Sequence, residues 1–72
     1  MGVWCFPFSS EGKARRCALA LIERGFDDIS LSQRGGVWHV TAPIDSVHLL
    51  ESSNFLSRKG LNGTPLMVRW AS

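Results

Sequence analysis

The chain has few cysteines, no long hydrophobic run and little net charge, and each shortage excludes a class of protein. Its 72 residues include two cysteines, Cys5 and Cys17. A secreted disulfide scaffold of this size usually carries more, so we interpret both as buried free thiols. No apolar run approaches the roughly 18–20 residues that a membrane span needs. The net charge of +2 is too small to indicate nucleic-acid binding by itself.

The N-terminal residues also lack the basic start and long apolar stretch of a signal peptide, so we expect a cytoplasmic protein. Hydrophobic residues make up 44% of the chain and charged residues 19%, which is typical of a folded domain and argues against disorder. The length predicts one domain over residues 1–72, near the size at which a single core barely holds a fold together.

The first part of the sequence predicts a strand followed by an amphipathic helix. Residues 3–8 are rich in aromatic and β-branched side chains, which favours a strand, with Pro7 near its end or at a sheet edge. Residues 9–10 are two serines that can cap a helix over residues 11–24. Gly25 then predicts a left-handed C-cap. The apolar stripe of this helix consists of Ala14, Cys17, Ala18, Leu21 and Ile22.

The remaining sequence predicts three strands and a second helix. Apolar and polar residues alternate in the strands, and two glycines predict a tight hairpin between the first two of them. The helical pattern is weaker, because Ser52-Ser53-Asn54 interrupts it and could bend or break the helix. The predicted elements are a strand at residues 29–32, a turn at 33–36, a strand at 37–42, a helix from the Asp45 cap to about residue 59 and a strand at 66–70.

The element order β-α-β-β-α-β predicts an α+β fold, the ferredoxin-like βαββαβ sandwich. Right-handed crossovers would place both helices on one face of a four-stranded antiparallel sheet. Strand alternation directs Trp38, Val40 and Ala42 into the core. The other sheet face stays uncovered and invites pairing, so we expect a homodimer through sheet faces or edges. The apolar or neutral residues expected on that face are Val37, Thr41 and Met67.

No group of residues has the spacing of a catalytic or metal site. Neither His39 nor His48 has a carboxylate at a telling spacing, and the cysteines and histidines are too scattered for zinc ligands. The stretch EGKARR contains Gly-Lys, but it lacks the upstream glycine and the following Ser or Thr of a phosphate loop. We therefore expect a non-enzymatic protein with no metal and no cofactor.

A nucleic-acid surface is the alternative that the sequence leaves open. Residues 34–39 begin like the third strand of an RNA-recognition domain, with a basic residue and glycines before an aromatic one. However, Trp38 alternates in phase with the core residues. The aromatic residues of the first strand share one face, which favours the core, but facing outward they would form a stacking surface. That alternative face would use Trp4, Phe6, His39 and Arg69.

Basic residues are the candidate contacts for a protein partner. Three of them lie on the solvent side of the first helix, while acidic residues follow at its far end. Positive and negative charges are therefore separated along the molecule, and such a distribution suits protein docking better than general nucleic-acid binding. The candidate protein-binding residues are Lys13, Arg15, Arg16, Arg34 and Arg69.

The segment FSSEGKARRCALALIERGF followed by ISLSQRGGVWHVTAP resembles the ferredoxin-like domain of the RraB family, whose members bind and inhibit ribonuclease E. The resemblance covers residues 3–43 and fades beyond, because the acidic segments of that family are absent. It implies a small inhibitor of a nuclease or of a ribonucleoprotein complex. Phage-encoded anti-CRISPR proteins, which inhibit defence nucleases, are built to a similar plan.

The same stretch is also similar to the SPOR domain, a βαββαβ module that binds denuded peptidoglycan. The opening typical of that family, a Gln and a Gly before Ser-Phe, is replaced here by VWCFPFSS. A SPOR-like role implies glycan binding in the periplasm, which disagrees with the expected cytoplasmic location.

Overall fold

In a computed structural model of the protein, which describes residues 2–70, two helices cover one face of a four-stranded sheet. The strand order is β2-β3-β1-β4, and every neighbouring pair is antiparallel. The predicted ferredoxin-like fold is therefore confirmed. The elements are β1 (Gly2–Phe8), α1 (Glu11–Glu23), β2 (Ser30–Arg34), β3 (Val37–Ile44), α2 (Ser46–Arg58) and β4 (Leu66–Trp70).

Both ends of α1 are closed by the signals that the sequence contains. The hydroxyl of Ser10 accepts a hydrogen bond from the backbone N–H of Lys13. At the other end, Gly25 has a φ of 94°, in the left-handed region that favours glycine. The chain then folds back, so that the N–H of Phe26 donates to the carbonyl of Leu21 at 3.1 Å. These bonds satisfy backbone groups that a helix end otherwise leaves unpaired.

The turn between β2 and β3 consists of two glycines in left-handed conformation. Gly35 and Gly36 have φ values of 58° and 79°, as a two-residue type I′ hairpin requires. The turn sets the register of the hairpin, with Arg34 opposite Val37. Because the side-chain period of a strand is two, this register decides which residues of β2 and β3 share a sheet face.

The core lies between the helices and one face of the two central strands. The aromatic side chains of β1 point into it, with Phe6 fully buried and Trp4 packed against its margin. The interpretation that these residues belong to the core is therefore confirmed. The buried cluster consists of Phe6, Phe8, Ala14, Cys17, Ala20, Leu21, Val40, Ala42, Ile44, Leu56 and Leu61.

The buried face of α1 differs from the predicted stripe. Ala20 is buried, whereas Ile22 is 54% exposed. The predicted placement of Ile22 in the core is therefore wrong. Ala20 belongs to the same cluster as Leu61, which follows α2. The buried face of α1 is thus turned partly towards α2 and not only towards the sheet. The sequence of α1 alone does not predict that orientation.

The second helix is continuous over Ser46–Arg58, which answers the question that Ser52-Ser53-Asn54 left open, because no break occurs there. The hydroxyl of Ser52 donates to the carbonyl of His48 one turn earlier, at 2.9 Å. The hydroxyl of Ser53 donates to the carbonyl of Gly63 in the loop before β4. The hydroxyl of Ser52 therefore bonds to a carbonyl of its own helix and that of Ser53 to a carbonyl outside it, and neither bond interrupts α2.

A basic and aromatic cluster joins the two helices at their outer surface. The guanidinium of Arg24 pairs with the carboxylate of Glu51 and lies 4.5 Å from the centre of the Phe55 ring. The ammonium of Lys59 lies 5.1 Å from the same ring. Cations over an aromatic face are attracted by its electron density. The cluster therefore links the end of α1 to the second half of α2.

The last strand contains an irregularity that changes the expected faces. Trp4 is opposite Met67, but Val3 is opposite Arg69, so Val68 is an extra residue on β4. Cross-strand partners share a sheet face. Met67 therefore lies on the helix side with Trp4, and its predicted place on the uncovered face is wrong. The strict alternation of Leu66, Val68 and Trp70 ends at the same point.

Pro7 lies inside a central strand but at a position that needs no ladder donor. It is opposite His39 of β3, while pairing with β4 ends at Cys5. The carbonyl of Pro7 accepts a hydrogen bond from the side-chain amide of Asn62 at 2.9 Å. The N and C=O of one strand residue point the same way. The missing N–H thus faces the loop before β4, and the proline is near a strand end as predicted.

Candidate functional site: the uncovered sheet face

The sheet face opposite the helices is the surface on which the candidate site lies. Its members follow from the strand registers, because directly opposed residues share a face. Polar residues dominate on β2, whereas apolar residues dominate on β1 and β4. The residues of this uncovered face are Ser30, Ser32, Arg34, Val37, His39, Thr41, Pro43, Val3, Cys5, Pro7, Leu66, Val68 and Arg69.

Two hollows lie on the uncovered face and join into one trough. The first, of about 320 Å³, is lined by residues of β1, β2, β3 and β4 that include Cys5, Arg34 and His39. The second, of about 420 Å³, extends towards Arg69. Thr41 and Val68 line both hollows. The trough therefore crosses the sheet, with an arginine at each end.

A thiol and an imidazole meet in the first hollow. The Sγ atom of Cys5 lies 3.2 Å from Nδ1 of His39, within hydrogen-bonding distance for sulfur. The register places Cys5 opposite Thr41 and His39 opposite Pro7, so the two side chains are diagonal neighbours on one face. Burial raises the pKa of the Cys5 thiol. We therefore assign the neutral S–H as donor and Nδ1 as acceptor, which leaves the proton of the imidazole on Nε2.

The two cysteines have different surroundings. Cys17 is fully buried in the core, and burial raises its pKa to about 12. Cys5 is 7% exposed, borders a hollow and has a basic nitrogen beside it. The interpretation of both residues as buried free thiols is confirmed. The contact with His39 was missed, although the shared outward phase of positions 5 and 39 was a usable signal.

The edge strand β4 exposes most of its apolar side chains. All five of its residues are exposed, and four of them are large and apolar. Leu66 and Val68, which lie on the uncovered face, are 58% and 50% exposed. The outer edge of β4 is unpaired within the described chain, so its backbone groups are open to another strand.

The structure does not bring the candidate protein-binding residues into one surface. Lys13, Arg15 and Arg16 are exposed on α1, and Arg15 pairs with Glu11 at 2.8 Å. The other two candidates, Arg34 and Arg69, lie across the sheet, at opposite ends of the trough. The five candidates therefore divide between two faces of the molecule.

The alternative nucleic-acid face is not formed as one surface. His39 and Arg69 lie on the uncovered face, but Trp4 and Phe6 point to the helix side of the sheet. The expectation that these four residues could act together is wrong, because strand alternation separates them. Six of the seven aromatic residues belong to the core or pack against it, and only Trp70 is largely exposed.

Across residues 2–70, no three His, Cys, Asp or Glu side chains are grouped so that they could hold a metal ion. No helix of this described part is long and apolar enough to cross a membrane.

The chain matches no family model, and comparisons with curated proteins and with solved structures also find no match.

Proposed function

We propose that the protein is a non-enzymatic protein-binding module that regulates or inhibits a larger assembly by covering part of its surface. The contact surface is the uncovered sheet face together with β4. The observation that carries the proposal is the exposure of β4, whose large apolar side chains face solvent beside an unpaired strand edge. Apolar residues grouped in this way are typical of interaction sites.

The distribution of polarity on the uncovered face supports a protein partner. Val68 lines both hollows of the trough, Leu66 lies opposite Cys5 on β4, and the charged residues Arg34 and Arg69 lie at the ends of the trough. Protein interfaces commonly have an apolar centre with a polar rim, in which arginine is enriched. The unpaired edge of β4 adds backbone donors and acceptors for an extended segment of the partner.

The proposed target is a nuclease or a nucleoprotein complex, and the proposed mode is occlusion. The resemblance of residues 3–43 to the RraB family supports this class of target, and the similar plan of anti-CRISPR proteins supports it too. Arg34 and Arg69 would meet acidic groups of such a target, which would speed association and fix the orientation. The cytoplasmic location expected from the sequence is compatible with this role.

The proposal is tested with two charge-introducing variants of similar exposure. Val68→Glu places a carboxylate in the trough, whereas Leu19→Glu places one on α1, where Leu19 is 58% exposed. Proteins captured by the wild type are identified and purified. Their direct binding is then measured. We expect Val68→Glu to weaken binding by tenfold or more, about 1.4 kcal/mol, and Leu19→Glu to leave it unchanged.

Two outcomes would contradict the proposal. If Leu19→Glu abolished binding and Val68→Glu did not, the contact surface would be the helical face. If no protein bound directly, and single-stranded oligonucleotides instead quenched tryptophan fluorescence with a salt-dependent affinity, the protein would be a nucleic-acid binder. The inhibitory part of the proposal is tested separately, by adding the protein to the purified target and measuring nuclease activity.

A further inference from the structure

We propose that Cys5 is a site of covalent modification by small disulfides that carry a carboxylate, with His39 as its general base. The product is a mixed disulfide on the uncovered sheet face. This inference does not depend on the proposed function, since it concerns the chemistry of the free chain. It rests on three observations: the contact between a thiol and an imidazole, the hollow that the sulfur borders, and the cation in that hollow.

The geometry supplies a nucleophile and a base in fixed positions. Cys5 and His39 belong to the two central strands, which pair over the full length of β1. The separation of 3.2 Å between Sγ and Nδ1 allows the proton to pass between them. A weak nucleophile with a base at this distance is the arrangement that activates cysteine in covalent chemistry. The rigid ladder keeps the pair together without help from a loop.

The hollow defines the class of reagent. Besides the thiol and the imidazole, residues Ser32, Gln33 and Arg34 line it. Ser32 and Arg34 point to the uncovered face, where both can donate hydrogen bonds, and Arg34 adds a positive charge that pairs well with a carboxylate. A volume of about 320 Å³ is at the lower end of the range for small-molecule pockets. A compact anionic disulfide therefore fits the hollow better than a neutral or cationic one.

The raised pKa of the Cys5 thiol is consistent with this chemistry. At neutral pH the sulfur keeps its proton and shares it with His39, so no free thiolate is stored. The base removes the proton only as the sulfur attacks, which is general-base catalysis in the ordinary sense. Cys17 has no such base, and the pKa of its thiol is raised to about 12, so the same chain provides an unreactive reference.

The reaction is thiol–disulfide exchange and needs no other oxidant. The sulfur of Cys5 attacks one sulfur of the disulfide, forming a new S–S bond while the old one breaks. The proton passes from Sγ to Nδ1 of His39 and then to the departing thiolate. Cys5 is oxidised to the mixed-disulfide level, and the leaving half of the reagent is reduced to a free thiol.

The test uses the full native chain and two probes that differ in charge. Dithiobis(nitrobenzoate) is an aromatic disulfide with carboxylates, and dithiodipyridine is a neutral one; both release a coloured thiol. We expect the native protein to release one equivalent of coloured thiol rapidly from the first probe, and we expect peptide mapping to locate the modification at Cys5. Cys17→Ser leaves that equivalent in place, and Cys5→Ser removes it.

Two further variants test the roles of the neighbours. His39→Gln should slow the reaction at neutral pH by tenfold or more, and raising the pH should restore it by forming the thiolate directly. Arg34→Gln should slow the anionic probe severalfold and leave the neutral probe unchanged. Circular dichroism of each variant reports whether it is folded. Peptide mapping of the labelled wild type shows directly whether Cys5 or Cys17 reacts, so that comparison needs no variant.

The proposal is overturned if Cys5 and Cys17 react at one slow rate equal to the rate of unfolding. It is also overturned if folded His39→Gln reacts as fast as the wild type, because the imidazole would then have no part in the reaction. Equal loss of rate with both probes in Arg34→Gln would remove the preference for a carboxylate.

Discussion

The hydroxyl of Ser53 donates a hydrogen bond to the carbonyl of Gly63, and this bond fastens the loop before β4 to the middle of α2. The same loop is held to β1 by the amide of Asn62, which donates to the carbonyl of Pro7. Because these two bonds fix the start of β4, they also fix the edge of the proposed contact surface. Ser53, Asn62 and Gly63 therefore help to position β4 although they do not line the trough.

Two adjacent serines should respond in opposite ways to loss of the hydroxyl. Ser53→Ala removes the only side-chain donor to the Gly63 carbonyl among the described bonds, and we expect it to lower the free energy of unfolding by about 1 kcal/mol. Ser52→Ala removes a bond to the carbonyl of His48, which the helix already uses. Alanine is also the better helix former, so we expect no loss of stability, or a gain of up to about 0.5 kcal/mol. Urea unfolding of both variants checks this pair, and equal losses would contradict it.

Two glycines provide a second matched pair. Gly63 has no positive φ, but a Cβ atom there would overlap the backbone carbonyl oxygen of Ser53. We expect Gly63→Ala to destabilise the protein by about 1–3 kcal/mol, because the loop must shift. Gly12 lies in the exposed first turn of α1, and its added Cβ would be 3.7 Å from the nearest atom, the hydroxyl of Ser10. Gly12→Ala should instead stabilise by about 0.5–1 kcal/mol. The melting temperatures of both variants and of the wild type check this pair. A stabilising Gly63→Ala would show that the loop is not held against α2.

Cys17 should make the fold sensitive to alkaline pH. Burial raises the pKa of its thiol from 9.0 to about 12 in the folded protein, so between these values the unfolded chain loses a proton that the folded chain keeps. Its contribution to stability is complete below pH 9 and falls with rising pH, by about 1.4 kcal/mol per pH unit. Cys17→Ala should be less stable than the wild type at neutral pH, but its free energy of unfolding should fall less steeply above pH 9. Parallel plots of the free energy of unfolding against pH for the two proteins would show that the pKa of Cys17 is the same in the folded and unfolded states.

The uncovered face also bears on self-association. We predict a homodimer through this face, because Leu66 and Val68 expose apolar surface there. Light scattering over a wide concentration range should give a mass above 8.0 kDa at high concentration. Val68→Glu should restore the single-chain mass and Leu19→Glu should not. A mass fixed at 8.0 kDa throughout would leave the face free for another protein.

The order of the elements was predictable because their signals are local. Gly25, Gly35 and Gly36 mark turns through their own backbone conformations, and the alternation in β3 is a property of consecutive residues. The core position of Trp38 follows from the same rule, and so does the shared face of the aromatic residues of β1. Such features depend on neighbours in the chain, so a single sequence contains them.

The errors in the prediction arose where distant residues decide the outcome. The sequence left open whether α2 breaks at Ser52-Ser53-Asn54, because the partner of Ser53 is ten residues away, in Gly63. Ile22 is exposed and Ala20 buried because α2 and the loop after it set the orientation of α1. No pattern within α1 or α2 encodes those contacts.

The sequence by itself determined the element order, the turns and the inward phase of β3, since each depends on residues within a few positions. Only the tertiary structure decided the register between strands. Register placed Cys5 beside His39 across 34 positions, and it moved Met67 to the helix side through one extra residue in β4. A one-residue change of register reverses the face of every following side chain. The candidate site is made of such cross-strand neighbours, which is why the sequence contained its residues but not their arrangement.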